Sequence, residues 1–368
     1  MNILCDKILL STAIDGVSRA VAVRSSIPVM EGILLKADGF QLTLTGYNNE
    51  MAIITSIDAD FRSAGETVLN AKLFSDMVRR MPSGQIEIEV PDSGKATIRG
   101  GVAEFEIQSM AASEFPNLPD TGISDTVTIK AETLRSMIDL TIYAVSTDDR
   151  KPAHTGELFE VNDGKLTIVA LDGYRLAITE RPIEASKPMR IIIPAKTMTE
   201  VSRLIPNDAE ADVNISANRH FVVFSAGGYT IISRLIEGDF LNFRNVIPET
   251  HRTSAVIDAK LFAETIERDS LIITERLKNP LRITFTNHKA TVRCQTNVGR
   301  VVDELSAETE GESIEIGFNN RYLLDALRYS RCDSVRIEIC GQLNPVKIQP
   351  SEGDAFLYLV LPVRFKND

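Results

Sequence analysis

Cysteine and histidine are scarce, four of each in 368 residues, and they are scattered. Cys5, Cys294, Cys332 and Cys340 form no CxxC pair, and His154, His220, His251 and His288 show no metal-ligand spacing. Structural zinc sites need such donors in close pairs, so neither a metal centre nor a disulfide framework has support. The cysteines read as buried free thiols, and no metal or cofactor is expected. Long apolar runs are also missing. No stretch reaches 18 apolar residues, and residues 1–10 carry Asp6 and Lys7 where a secretory leader would be apolar. The expectation is a cytoplasmic chain with no membrane partner.

Motifs that assemble catalysis are lacking as well: HExxH, GxSxG, a Walker phosphate loop, and GxGxxG opening a helix. A non-enzymatic protein is expected. Asn214-Ile215-Ser216 matches a glycosylation sequon but falls in an expected strand, and is set aside. Positive charge is in deficit too: 40 Lys and Arg against 51 Asp and Glu leave a net −11. Taken alone, that argues against nucleic acid, whose phosphates call for a basic surface. What is present is globular, 43% hydrophobic and 25% charged, enough for a large core. At roughly 100–200 residues per domain, the length allows two or three domains.

The chain repeats itself every 124 residues. Leu42-Thr43-Leu44-Thr45 becomes Leu166-Thr167-Ile168-Val169, then Ala290-Thr291-Val292-Arg293. Turn residues precede each copy, Asp38-Gly39, Asp163-Gly164 and Asn287-His288, as hairpins entering alternating strands require. The same step carries Ala71-Lys72 to Ala195-Lys196 and Asn319-Asn320, each opening an apolar pattern at helical spacing. Pro82 and Pro206 stop the first two of these helices. An earlier helix also matches, Leu10 to Asp15 with Leu134 to Asp139 and Phe262 to Glu267. Each copy reads as an α+β domain, two helices on antiparallel sheet. Three tandem domains follow: 1–120, 121–248 and 249–368.

The charge is unevenly spread. Six helix candidates (7–20, 72–81, 131–143, 196–205, 260–278 and 320–331) total +5, and the remainder of the chain −16. One reading is ordinary solvated helix faces, with arginines favoured near C-termini by the macrodipole. The other is a basic helix layer inside an acidic shell. Helices pack about 8–10 Å apart, so six in a circle would leave a hole of only ~9 Å, and twelve a hole of ~28 Å. Duplex DNA, about 20 Å across, passes only the second. A dimer of three-domain chains fits that size.

Ala170-Leu171-Asp172-Gly173-Tyr174-Arg175-Leu176-Ala177, Glu237-Gly238-Asp239-Phe240 running to Val246-Ile247-Pro248, Phe115-Pro116-Asn117-Leu118, and Leu359-Val360-Leu361-Pro362-Val363-Arg364 make the sequence specific. On these segments the chain resembles, over its whole length, the bacterial DNA polymerase III beta subunit family of sliding clamps. The resemblance implies a head-to-tail homodimeric ring around double-stranded DNA, bound without sequence preference. Its implied partners are the DNA polymerase III core, the clamp loader, and other clamp-binding polymerases and repair proteins. It also implies a peptide pocket of Leu171, Gly173, Tyr174, Arg175, Leu176, Leu241, Asn245, Val246, Leu343, Pro345, Leu359, Val360, Leu361, Pro362, Val363 and Arg364. The family commonly has proline at Leu241, a basic residue at Asn245 and an aliphatic one at His154, and the tail here continues past Arg364. These departures bear on peptide preference.

Carried over by position, DNA contacts would come from Arg24, Lys72, Arg79, Lys196 and Arg203, and the dimer contact from Phe105, Ile272 and Ile273. Glu104 and Arg300 are expected to form a partly reversed ion pair there. Two other readings stand beside this one: a repeat-built interaction scaffold that does not encircle DNA, and an enzyme with a site at a domain interface. A cluster of perturbed titratable groups would favour the enzyme.

Overall fold

The computed structural model describes residues 1–91, 94–122, 126–184, 187–273 and 280–365. Six α-helices occur among them: α1 (Lys7–Val17), α2 (Ala71–Arg80), α3 (Ala131–Thr141), α4 (Ala195–Leu204), α5 (Ala259–Asp269) and α6 (Asn320–Ser330). Asp6, Asn70, Asp258 and Asn319 cap four of them, each accepting from a first-turn N–H that has no partner within the helix. Pro82 and Pro206 follow α2 and α4 closely, where the ladder cannot continue. α2 buries Ala71, Phe74, Met77 and Val78 on one stripe, which leaves Lys72 and Arg79 exposed.

The 124-residue period is visible in the strands Gln41–Tyr47, Lys165–Leu171 and Lys289–Gln295. Asp163 and Gly164 both have positive φ, 49° and 72°, the backbone that a tight two-residue hairpin needs.

Two compact units are present, and repeat boundaries do not divide them. One comprises Met1–Arg135 and Thr199–Leu235. It holds a five-stranded and an eight-stranded sheet, with α1 packed against α2. Its eight-stranded sheet joins two repeats: Tyr229–Arg234 lies antiparallel to Met51–Asp58, with Ile231 opposite Ile53. The other unit comprises Ser136–Met198 and Ile236–Asp368. It holds a nine-stranded and a four-stranded sheet, with α5 packed against α6. There Arg175–Pro182 lies antiparallel to Leu357–Val360, with Ala177 opposite Tyr358.

These two junctions are equivalent. Tracing opposite residues across each sheet gives Val127, Ile215, Phe224, Ile231 in one copy and Ala255, Ile337, Ile348, Tyr358 in the next. The first copy runs Ile3, Ile88, Ile98, Phe105. Ile231 and Tyr358 meet a strand of the preceding repeat; Phe105 meets no such strand among the described residues. On the receiving side, Gly46–Ile53, Ala170–Ala177 and Cys294–Val301 are opposite pairs. Ile53 and Ala177 are met; Val301 is not.

Some expectations change. The window 260–278 is not one helix: α5 ends at Asp269 and a 3-10 turn runs Ser270–Ile272. Residues 274–278 lie outside the described residues, as do Lys366, Asn367 and Asp368 of the tail. Over the α-helices themselves the charge is +2 rather than +5, because arginines such as Arg19 and Arg331 sit just beyond helix ends. Cys5 and Cys294 are buried, but Cys332 and Cys340 are only half-buried. No helix among the described residues is long and apolar enough to cross a membrane.

Candidate functional site

Strand alternation sorts one face of the nine-stranded sheet into three rows. Leu171, Leu176 and Leu359 stand opposite one another; Leu158, Ile192, Val169, Ile178 and Leu357 form the next row; and Arg190, Glu160, Thr167 and Glu180 the third. The first two rows, with Phe240 and Phe243, make a small apolar cluster. Ala170, Ala177, Tyr358 and Val360 point to the opposite face and join the large core of this unit.

Over the first row opens a pocket of about 120 Å³ lined by Leu171, Gly173, Tyr174, Arg175, Leu176, Leu241, Val246, Pro345, Leu359 and Leu361. The Leu361 N–H donates to the Tyr174 carbonyl at 2.8 Å, which carries the strand pairing past Val360. Ten of the sixteen residues expected at a pocket are thus brought together. Val360 is not among them: it is fully buried on the other face, as two-residue periodicity demands. Asn245 and Leu343 are exposed outside the lining. Pro362, Val363 and Arg364 leave it as well. The Val363 N–H donates to Gly317 O at 2.8 Å, and a Cβ on Gly317 would come within 2.6 Å of the Val363 carbonyl. The tail therefore turns toward the strand Ile314–Phe318, where the Arg282 guanidinium stacks on Phe365 at 4.6 Å.

The polar corner of the pocket is built around Arg175. Its Nε donates to Asp172 at 3.0 Å and its Nη1 to Asp325 at 2.5 Å. The guanidinium lies between the rings of Tyr143 (5.2 Å) and Tyr322 (4.9 Å). Burial alone would lower its pKa; the Asp325 hydrogen bond and the Asp172 and Asp325 charges outweigh burial and raise it. Asp172 also accepts from the Tyr174 and Arg175 amides. With Gly173 at φ 92°, it fixes the turn that presents Tyr174. Tyr174 stacks on Tyr322, centroids 5.7 Å apart. Asp325, Tyr322 and Tyr143 had no local sequence signal as neighbours of Arg175. His154 does not line the pocket. It packs edge-on against Phe240 at 5.9 Å, and burial, with Lys151, lowers its pKa despite Asp172.

At the strand edges, Glu104 and Phe105 belong to Ala103–Gln108, an edge strand of the five-stranded sheet. Arg300 opens Arg300–Ser306, an edge strand of the four-stranded sheet. Phe105 is 39% exposed and Leu271 83%; Ile272 and Ile273 are half-buried against the core. Glu104 already accepts from Arg99 within its own sheet, at 2.7 Å.

Among the expected DNA-contact residues all five are exposed. Arg79 pairs with Asp15 at 3.2 Å and Arg203 with Glu200 at 3.1 Å. Arg24, Lys72 and Lys196 have no carboxylate partner among the described residues. Among the described residues, the carboxyls pushed upward are Glu157, to about 8 by burial, and Asp269, to about 6 by burial and then Asp303. Neither is at the pocket.

Three tandem α+β domains, with sheets that continue across each repeat junction and an apolar pocket on one of those sheets, define a clamp-type binding protein. Residues 1–119, 128–242 and 244–364 match, in order, the N-terminal, central and C-terminal domains of the DNA polymerase III beta subunit. A beta sliding clamp of Halalkalibacterium halodurans is 31% identical, spanning 99% of this chain and 100% of the relative. The crystal structure of the DNA polymerase sliding clamp from Bacillus subtilis superposes with a TM-score of 0.96 at 28% identity, covering 100% of both chains. A Pseudomonas aeruginosa sliding clamp bound to griselimycin gives 0.95 at 26% identity, covering 99% of this chain and 100% of that one. The chain belongs to the DNA polymerase III beta subunit family, the beta sliding clamps.

Proposed function

We propose that two copies of this chain, each of three domains (1–120, 121–248 and 249–368), close head to tail into a ring around duplex DNA. The ring tethers the DNA polymerase III core, the clamp loader and other clamp-binding proteins in the cytoplasm through the leucine pocket, with no catalytic step of its own. The observation that carries ring closure is the unmatched pair of edges. Two junctions inside the chain pair one strand type with another, and one of each type, Ala103–Gln108 and Arg300–Ser306, is left over among the described residues. Pairing them between copies repeats an existing contact, and a head-to-tail contact repeated by a two-fold axis can close.

Keeping the internal register places Phe105 opposite Val301 of the partner subunit, since Ile231 meets Ile53 and Tyr358 meets Ala177. Glu106 then stands opposite Arg300 of the partner subunit, as Ile232 does opposite Ala52 and Leu359 opposite Leu176. Glu104 faces Val302 of the partner subunit instead; both carboxylates also accept within their own sheet, Glu104 from Arg99 and Glu106 from Lys95, so the register alone separates them. The opposed charge pair of this interface is therefore Glu106–Arg300 rather than Glu104–Arg300. Ile272 and Ile273 supply its apolar flank.

DNA would be held through phosphates alone, by Arg24, Lys72, Arg79, Lys196 and Arg203, so that the ring slides. Arg24, Lys72 and Lys196 would contribute most, because no described carboxylate pairs with them. The test is topological. Loaded onto nicked circular DNA by its clamp loader, the protein should remain bound and then be lost when the circle is linearised. Retention on the linear product would overturn encirclement, and failure to load would overturn the DNA reading.

A further inference from the structure

We propose that Glu160 is a positioning residue that holds one wall of the pocket in place, an inference that rests on the pocket's role as a peptide site. Leu241 and Val246 form that wall, on a segment with no strand partner among the described residues. The chain leaves the sheet after the Ile236 N–H donates to Ile192 O at 2.9 Å. From there its backbone bonds are local and long, Asn245 N–H to Asn242 O at 3.3 Å and Ile247 N–H to Arg244 O at 3.4 Å.

Side chains anchor it instead. Phe240 and Phe243 sink into the apolar row beside the pocket. Arg244 reaches the polar row, where its Nη2 donates to Glu160 Oε1 at 2.6 Å while its guanidinium stacks on Phe243 at 4.4 Å. Glu160 is 8% exposed. Its other oxygen accepts from Arg190, directly opposite on the neighbouring strand. A carboxylate shared by two guanidiniums is a strong and directional acceptor, and it ties the loop to the sheet that forms the pocket floor. Neither Glu160 nor Arg244 lines the pocket. They act through the placement of Leu241 and Val246, which sets how much of the apolar groove is preorganised before a peptide arrives.

The experiment compares Glu160→Gln, Arg244→Ala, Arg244→Lys and Leu361→Asp in the full-length protein. The probe is a fluorescein-labelled hexapeptide with leucine and phenylalanine anchors, read by anisotropy. Melting temperature, sedimentation and hydrogen exchange of amides 243–247 are measured in parallel. Glu160→Gln and Arg244→Ala should each weaken the peptide about tenfold, with faster exchange confined to that segment and an unchanged dimer. Arg244→Lys, which keeps the charge, should recover most of the loss. If Glu160→Gln fails to fold, the exposed Arg244 decides alone. Affinities within twofold of the parent for Arg244→Ala and folded Glu160→Gln, alongside loss in Leu361→Asp, would overturn the positioning role and leave the pocket standing. Unchanged binding in Leu361→Asp would overturn the pocket reading itself, and this inference with it.

Discussion

The two strand junctions inside the chain share a backbone and differ in what they carry. At the junction of Arg175–Pro182 with Leu357–Val360, the four positions around the crossing are Leu171, Leu176, Leu359 and Leu361, and a pocket opens over them. The equivalent positions of the other junction are Tyr47, Ala52, Ile232 and Arg234, where the Arg234 N–H donates to Glu50 O just as Leu361 N–H does to Tyr174 O. The backbone is repeated, and the ligand chemistry is not. At the proposed intermolecular junction the four become Gln295, Arg300, Glu106 and Gln108. The first set is apolar, the second mixed, and the third polar with one charge of each sign.

A second contrast lies at the ends of α1 and α3. The first repeat places Val17 and Ile33 there, both fully buried. The second places Thr141 and Glu157, 124 residues on, with oxygens 2.6 Å apart. Asp269 ends α5 at the corresponding place, buried with neither carboxylate oxygen hydrogen-bonded among the described residues. One unit therefore contains both proton-binding carboxyls at these positions, and the other has only hydrocarbon.

The largest expected effect tests that contrast. Glu157 is raised from 4.5 to about 8 by burial, with Thr141 lowering and Asp139 raising it. The folded state thus holds a proton that the unfolded state releases. Its stability contribution is complete below about pH 4.5 and is lost as pH rises from there through about 8, at a cost of up to about 5 kcal/mol. Denaturant unfolding followed by hydrogen exchange should show the unit with Glu157 weakening from pH 5 to 9 while the unit with Ile33 does not. Glu157→Gln should flatten most of that slope.

Next, Leu361→Asp should lower peptide affinity about 100-fold (about 3 kcal/mol), whereas Arg234→Ala at the equivalent position should leave it unchanged in the same titration. Glu106→Arg should weaken the dimer about tenfold by sedimentation, since it opposes Arg300 of the partner subunit. Glu104→Arg should act mainly on Arg99 in its own sheet, with a smaller shift. Smallest of all, Asp15→Asn releases Arg79 from an exposed pair worth a few tenths of a kcal/mol. It should barely alter stability yet slow one-dimensional diffusion on DNA at low salt, an effect that disappears as salt rises.

Much of the architecture was legible because a whole-domain repeat preserves spacing: the strand at Gln41–Tyr47 recurs 124 residues later, twice. What sequence could not carry is long-range strand pairing. Tyr229 lies opposite Thr55 and Arg175 opposite Val360, and no local signal marks either partner. The same limit hid Glu160 and Arg244, 84 residues apart, and Asp325 beside Arg175. Val360 is different. Two-residue alternation sends Leu359 and Leu361 to one face and Val360 to the other, so residues 359–364 do not line the pocket as one segment. Glu104 and Glu106 share a face for the same reason, and only the register chooses between them.

Disulfide trapping at the intermolecular junction tests the account most directly. Directly opposed residues bring Cβ atoms to about 4.5–5.5 Å, close enough for a disulfide with small adjustment. Glu106→Cys with Arg300→Cys, oxidised mildly at neutral pH, should give a covalent dimer that stays on closed circular DNA in denaturant. Preferential cross-linking of Glu104→Cys with Arg300→Cys, or a product that remains monomeric in both, would contradict the register and with it the claim that the ring closes by repeating the chain's own junctions.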